Sequence, residues 1–173
     1  MKTLNLFLVA LLALVPALSI GATGDVGSSI KENAVNYTQL AERVLKYADV
    51  TMSSSDVDTL NATPVTAVSA PGAGKCLEVV KLTCFNDFSS VTFDSPGGGT
   101  IDLRYTDSSG SLKAQIINGF LEATSDKFYD AVVQSNYCST NAALVLWASS
   151  DVQQGNGSIK CRVTYRVITS SDI

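Results

Sequence analysis

Near the end of the chain, Ile159-Lys160-Cys161-Arg162-Val163-Thr164-Tyr165-Arg166-Val167 alternates without a break. Ile159, Cys161, Val163, Tyr165 and Val167 face one way, and Lys160, Arg162, Thr164 and Arg166 face the other. Side chains two apart share a face of a β-strand, so one side is buried and one is wet, the habit of an antiparallel sheet. The same grammar runs upstream. Cys76 to Cys84 is long and rich in β-formers, and Ile101 to Tyr105 alternates around Asp102 and Arg104. Val65 to Val68, Ala114 to Ile117, Ala131 to Gln134 and Ala143 to Ala148 are shorter candidates. Between them, Pro96-Gly97-Gly98-Gly99, Asp107-Ser108-Ser109-Gly110 and Gln154-Gly155-Asn156-Gly157 combine residues that accept positive φ or bond their own backbone, and each reads as a turn. Short strands separated by such turns predict an all-β sandwich or barrel. Its expected core includes Val79, Leu82, Phe93, Leu103, Phe120, Val145, Trp147, Val163 and Tyr165.

Composition narrows the function. The 173 residues are 46% hydrophobic, 16% charged and 8% aromatic, enough for one domain with an extension. Twelve Lys plus Arg against sixteen Asp plus Glu give a net charge of -4. No basic excess is available to neutralise phosphates, which argues against nucleic acid as a partner. The chain has no histidine, which removes Ser-His-Asp and Cys-His catalysis and any imidazole metal site. A binding or structural protein is favoured over an enzyme, with no catalytic residue, metal or cofactor expected.

The first fifty residues follow a different pattern. Residues 1–23 hold an apolar run from Leu4 to Ile20 behind Lys2, with small residues following. This is the layout of a secretory signal peptide; a membrane anchor and a retained docking arm are the alternatives. Residues 24–49 are expected to form a hinge and one amphipathic helix. Ser29-Ile30-Lys31-Glu32 matches a capping box. Ile30, Ala34, Tyr37, Ala41, Val44 and Leu45 recur at spacings of three and four, opposite Lys31, Glu32, Gln39, Glu42 and Arg43. The helix either packs on its own domain or is offered to a partner, through Ile30, Tyr37, Leu40, Val44 and Tyr47. Residues 50–173 form the β domain.

Several motifs have plainer explanations. Pro71-Gly72-Ala73-Gly74-Lys75 lacks the first glycine of a phosphate-binding loop and carries Cys76 where Ser or Thr would hold magnesium, so it reads as a turn feeding a strand. Cys76 and Cys84 cannot bridge within one straight strand, since eight residues at about 3.3 Å separate them by about 26 Å. Buried free thiols are the default expectation for the four cysteines, with disulfides as the alternative. Asn36, Asn61 and Asn156 begin glycosylation triplets, which matter only in a secreted eukaryotic setting. Asp56 with Asp58, and Asp126 with Asp130, are the acidic pairs to test for glycosidase or calcium chemistry, and solvated surface is the better reading.

From Ala48 to Ile168 the order of features resembles a known family. Leu60-Asn61-Ala62-Thr63-Pro64-Val65 leads to Ala70-Pro71-Gly72-Ala73-Gly74-Lys75 opening a long strand. Leu103-Arg104-Tyr105 and Asn141-Ala142-Ala143-Leu144-Val145-Leu146 follow, and Gly155-Asn156-Gly157-Ser158-Ile159 runs into the last strand. This is similar to the capsid decoration, or cement, proteins of tailed bacteriophages. The resemblance implies a jelly-roll-like antiparallel β-sandwich and a non-enzymatic role on the virion surface. It further implies a major capsid protein or neighbouring shell subunits as partners, and a homo-oligomer, dimer or trimer. Residues 1–23 leave a membrane as a further partner. The alternative is an exported or cell-surface module, such as a pilus-like subunit or adhesion domain, freed by signal cleavage. Disulfides discriminate between the two: they are expected in that second reading and not in the first.

Overall fold

The computed structural model describes residues 44–96, 98–117, 119–134 and 138–169. The described residues form β1 (Lys46–Met52), α1 (Ser54–Asp58), β2 (Val65–Val68), β3 (Lys75–Asp87), β4 (Ile101–Tyr105), β5 (Leu112–Ile116), β6 (Lys127–Val133), β7 (Leu144–Ala148) and β8 (Ser158–Thr169). All eight strands belong to one antiparallel sheet in the order β1-β8-β3-β6-β5-β4-β7-β2. β1 pairs with β8, β2 with β7, β3 with β6 and β4 with β5. The chain is thus one long hairpin of four strand pairs that has been rolled up, which is the jelly-roll arrangement. Four strands, β1-β8-β3-β6, form one side, and β5-β4-β7-β2 form the other. The sheet bends over between β6 and β5, where the ladder is only two pairs long, Ala114 with Val133 and Gln115 with Val132. β1 and β2 close the roll without pairing to each other.

Inward-facing residues of both sides fill the core: Leu77, Leu82, Val163 and Ile159 from one, Ile101, Leu103, Ile116, Leu144 and Leu146 from the other. Phe93, Phe120 and Val152 plug the end reached by the β3–β4, β5–β6 and β7–β8 connections. There Asp94 and Gln153 exchange both backbone bonds at 2.7 Å, and the Asn156 side chain accepts from Ser90 N at 3.0 Å and Val91 N at 2.9 Å. The turns expected from sequence are present. Asp107 caps the β4–β5 hairpin by accepting from Ser109 N at 2.8 Å, and an added Cβ on Gly110 would run into the Tyr105 carbonyl. Gly72 and Gly74 adopt φ of 100° and 71° before β3, so the Gly-rich stretch is a turn feeding a strand.

Three expectations are corrected. Residues 46–49, assigned to the amphipathic helix, lie on β1, and Tyr47 is a strand residue. Lys46 to Met52 also alternates at period two, and the open edge of β8 supplies a ladder that a lone helix end cannot match. A capping box is seen at α1, where Ser53 N donates to Asp56 Oδ2 at 2.8 Å; the box expected at Ser29 lies outside the described residues. The cysteines are not free thiols. Cys76 bonds Cys138, and Cys84 bonds Cys161 across a directly opposed pair of β3 and β8 with Cα atoms 4.1 Å apart. Finally, Trp147 is only partly buried and points away from the core, while Val145, on the same side of β7, is buried as expected. β7 buries Leu144, Leu146 and Ala148 inward, so its odd-numbered residues face outward.

Candidate functional site

The outer face of β1-β8-β3-β6 is built by the wet side of β8, whose neighbours are set by register. Thr51, Lys160, Phe85 and Phe128 stand opposite one another in one row, and Asp49, Arg162, Thr83 and Asp130 in the next. Every charge on this face has an in-plane partner. Arg162 grips Asp49 with two bonds of 2.7 and 2.8 Å, and Lys160 meets Asp87 at 2.7 Å. Lys81 meets Asp130 at 3.0 Å, and Arg166 meets Glu78 at 2.6 Å. The bond from Arg162 holds the Asp49 carboxyl below its ordinary value, and Asp49 in return raises Arg162. Lys160 does the same to Asp87; the Thr83 hydroxyl, then Lys81, do so to Asp130.

Aromatic rings fill the gaps between the pairs. Phe85 and Phe128 lie with centroids 4.5 Å apart, the Lys160 ammonium sits 5.9 Å from Phe85, and the Arg162 guanidinium lies 4.8 Å over Tyr47. Phe128 and Tyr47 nevertheless remain 72% and 67% exposed. Four of the eight large apolar residues exposed among the described residues, Tyr47, Val80, Phe128 and Val132, belong to β1, β3 and β6, and Val44 and Leu45 lead directly into β1. An open cleft of about 550 Å³ runs between Asp49, Thr51, Lys160, Arg162, Phe85 and Phe128, over the Cys84–Cys161 bridge.

The residues expected from sequence to meet a partner divide accordingly. Tyr47 stands on this face and Val44 is exposed just before it; Ile30, Tyr37 and Leu40 lie outside the described residues. Phe85, Phe128 and Asp130 were not legible as site residues, because what joins them to Arg162 is register across strands far apart in sequence.

The opposite outer face is held by a buried polar cluster. Asp102, 1% exposed, accepts from Thr100 Oγ1 at 2.8 Å, Gln115 Nε2 at 3.0 Å and Arg104 at 2.7 and 3.0 Å. Arg104 stacks 4.9 Å over Trp147, whose Nε1 donates to the Asn61 carbonyl at 2.8 Å. The Asn61 and Asn156 amide nitrogens donate to Ala148 O and Ser90 Oγ, both at 2.8 Å, so both serve the fold. Three of the four acidic residues are similarly occupied, Asp56 in its capping box, Asp126 accepting from Phe88 N at 3.0 Å and Asp130 in its row, while Asp58 keeps Oδ1 buried without a hydrogen-bond partner. Among the described residues no three metal-ligating side chains converge, and no helix is long and apolar enough to cross a membrane.

No protein-family model matches the chain, and no curated protein is similar to it. Among solved structures it is similar to a chain in the capsid asymmetric unit of cyanophage Pam1, at 18% identity and a TM-score of 0.45, covering 71% of this chain and 83% of that one. It is also similar to a chain in the acid-stable capsid of Helicobacter pylori bacteriophage KHP30, at 17% identity and a TM-score of 0.47, covering 72% and 91%. A Bacillus endospore appendage, described as a disulfide-linked pilus, is similar at 11% identity and a TM-score of 0.30, covering 70% and 87%.

Proposed function

We propose that the chain is a non-enzymatic structural protein of a virion, a decoration subunit that braces a capsid shell by surface contact. The observation that carries this reading is the outer face of β1-β8-β3-β6, where exposed rings and aliphatic side chains gather around four ion pairs that are already neutral. Covering a bare charge costs several kcal/mol, whereas a charge paired within its own surface meets a partner with much of that cost already offset. Aromatic residues and arginine are the side chains that protein interfaces concentrate. Such a face works through area and shape, and the resemblance of residues 48–168 to decoration proteins supports a capsid shell as the partner. Tyr47 and Val44 are proposed as partner-binding residues of this region, and Ile30, Tyr37 and Leu40, outside the described residues, as partner-binding residues of the preceding segment.

The two disulfides favour a second reading, an exported or cell-surface module, because such bonds persist outside the cytosol. On this point the outcome goes against the expectation attached to the virion reading, which stands only because a virion surface is itself an oxidising setting. A density gradient of the native source, followed by an intact non-reduced mass of this protein wherever it bands, separates them. The protein is expected to band with particles. Recovery only in the light soluble fraction, with the mass short by residues 1–23, would favour the exported module and overturn the decoration role.

A further inference from the structure

We infer that the mouth of the roll is a binding site for the carboxylate end of a polypeptide chain. The site lies inside the roll, apart from the outer face proposed to meet a shell, and does not rest on that reading. It exists because two paired strands differ in length. β1 begins at Lys46, opposite Tyr165, whereas β8 runs on to Thr169, so Arg166 to Thr169 have no β1 neighbour. The gap opens a pocket of about 240 Å³ between the ends of β8 and β2 and the start of β3. Register also fixes what faces it. Lys46 shares a face with Tyr165, Leu77 with Val167 and Lys75 with Thr169, and this is the inward face of the sheet.

Core residues Val68, Leu77 and Val167 make the apolar floor of this pocket, and its lining includes Lys46 and Lys75 and no carboxylate. Ser69 brings a hydroxyl to the same wall. Both lysines are half-buried. Elsewhere on β3 and β8 each cation has its own acid: Lys160 has Asp87, Arg162 has Asp49, Lys81 has Asp130 and Arg166 has Glu78. Lys46 meets no carboxylate among the described residues. A cation drawn partly out of water without an acid is short of a partner, and an anionic ligand supplies one.

Size and chemistry together select the ligand. At about 30 Å³ per water, the pocket has room for about eight non-hydrogen atoms. A phosphate or sulfate would leave the aliphatic floor facing water, and a plain hydrocarbon would cover Lys46 without neutralising it. An aspartate or glutamate side chain brings a carboxylate with no branched apolar group beside it. The last residue of a chain carries both on one Cα, and a terminal valine is of the size required. Capture of a chain end in this way is a recurring mode of peptide recognition. The pocket opens beside the exposed Ser69, leaving a path for the residues before the last. Charge also chooses the end of the roll. At the other end, the connections β1–β2, β3–β4, β5–β6 and β7–β8 hold Asp56, Asp58, Asp94, Glu122, Asp126 and Asp151 and no lysine or arginine, and repel the same carboxylate.

The test is a titration of the full oxidised chain with the probe peptide acetyl-Gly-Gly-Val, followed by NMR at the methyl groups of Val68, Leu77 and Val167. The free acid is expected to move those signals together and saturably. Its C-terminal amide is expected to bind about tenfold more weakly, since a charge-assisted bond is lost. Lys46→Gln is expected to weaken the free acid by about the same factor, and Lys46→Arg to retain it, with the spectra of both variants reporting their fold. No movement at millimolar peptide, equal binding of the amide, or a Lys46→Gln variant that binds as the unaltered chain does would each overturn the inference. Isovalerate binding as tightly as the peptide would make the ligand a free acid rather than a chain end. Binding seen only after removal of residues 170–173 would make the chain's own tail the occupant. Either of these results overturns the inference too.

Discussion

Removing the two disulfides separately distinguishes what they do to the unfolded chain from what they do to the core. Cys84–Cys161 closes a loop of 77 residues and Cys76–Cys138 one of 62. Loop-closure entropy scales with the logarithm of that length, giving about 4.5 and about 4.3 kcal/mol. On that basis Cys84→Ala/Cys161→Ala and Cys76→Ala/Cys138→Ala should cost the same within about 0.2 kcal/mol. Burial breaks the tie. Cys84 and Cys161 are 0% and 2% exposed between the core strands β3 and β8, whereas Cys76 is 8% exposed and Cys138 only half-buried. Truncating the inner pair leaves a cavity the size of two sulfur atoms, adding about 1–2 kcal/mol. The inner double variant is therefore expected to be less stable than the outer one by about 1–2 kcal/mol, read from urea midpoints at equal slope. Equal losses would mean that only chain entropy matters, and a larger loss from the outer pair would refute the packing argument.

Two further outcomes follow from the polar groups. Asp102→Ala strands Arg104 and Gln115 beneath the second face and is expected to cost about 3 kcal/mol, towards the low end for a broken buried pair because Arg104 keeps Gly110 O and Trp147; a urea midpoint shift worth under about 1 kcal/mol would count against it. Asp49, Asp87 and Asp130 are held below the ordinary carboxylate value of 3.8, so the stability they contribute is present above that pH and is lost as pH falls through their folded values. The thermal midpoint is expected to fall on acidification below about pH 4, less steeply in high salt, and a flat or rising midpoint there would contradict the in-plane pairs.

The strands of the roll were legible where local pattern and burial agree. β8 alternates apolar and charged residues, and only a strand with one wet face satisfies that pattern, so its bounds shifted by only a residue or two. The jelly-roll order, expected from the family resemblance, is the order seen. Legibility failed where one stretch suits two periods. Val44, Leu45 and Tyr47 fit a helix face at spacings of three and four, and Lys46 to Met52 fits a strand equally well; pairing with β8 decided between them. It failed again on β7, whose apolar run Leu144-Val145-Leu146-Trp147 does not say which parity faces inward, and Trp147 went to the outer side. Spacing excluded a bond between Cys76 and Cys84, but choosing Cys161 as the partner of Cys84 required the register of β3 against β8. The face itself shows the division most plainly. The sequence alone determined that Lys160, Arg162 and Arg166 would stand in water, since period two puts them opposite Cys161, Val163 and Val167. That Phe85, Phe128 and Asp130 would stand beside them was decided only by the order β8-β3-β6, because contacts between strands so distant along the chain leave no local trace in any one of them.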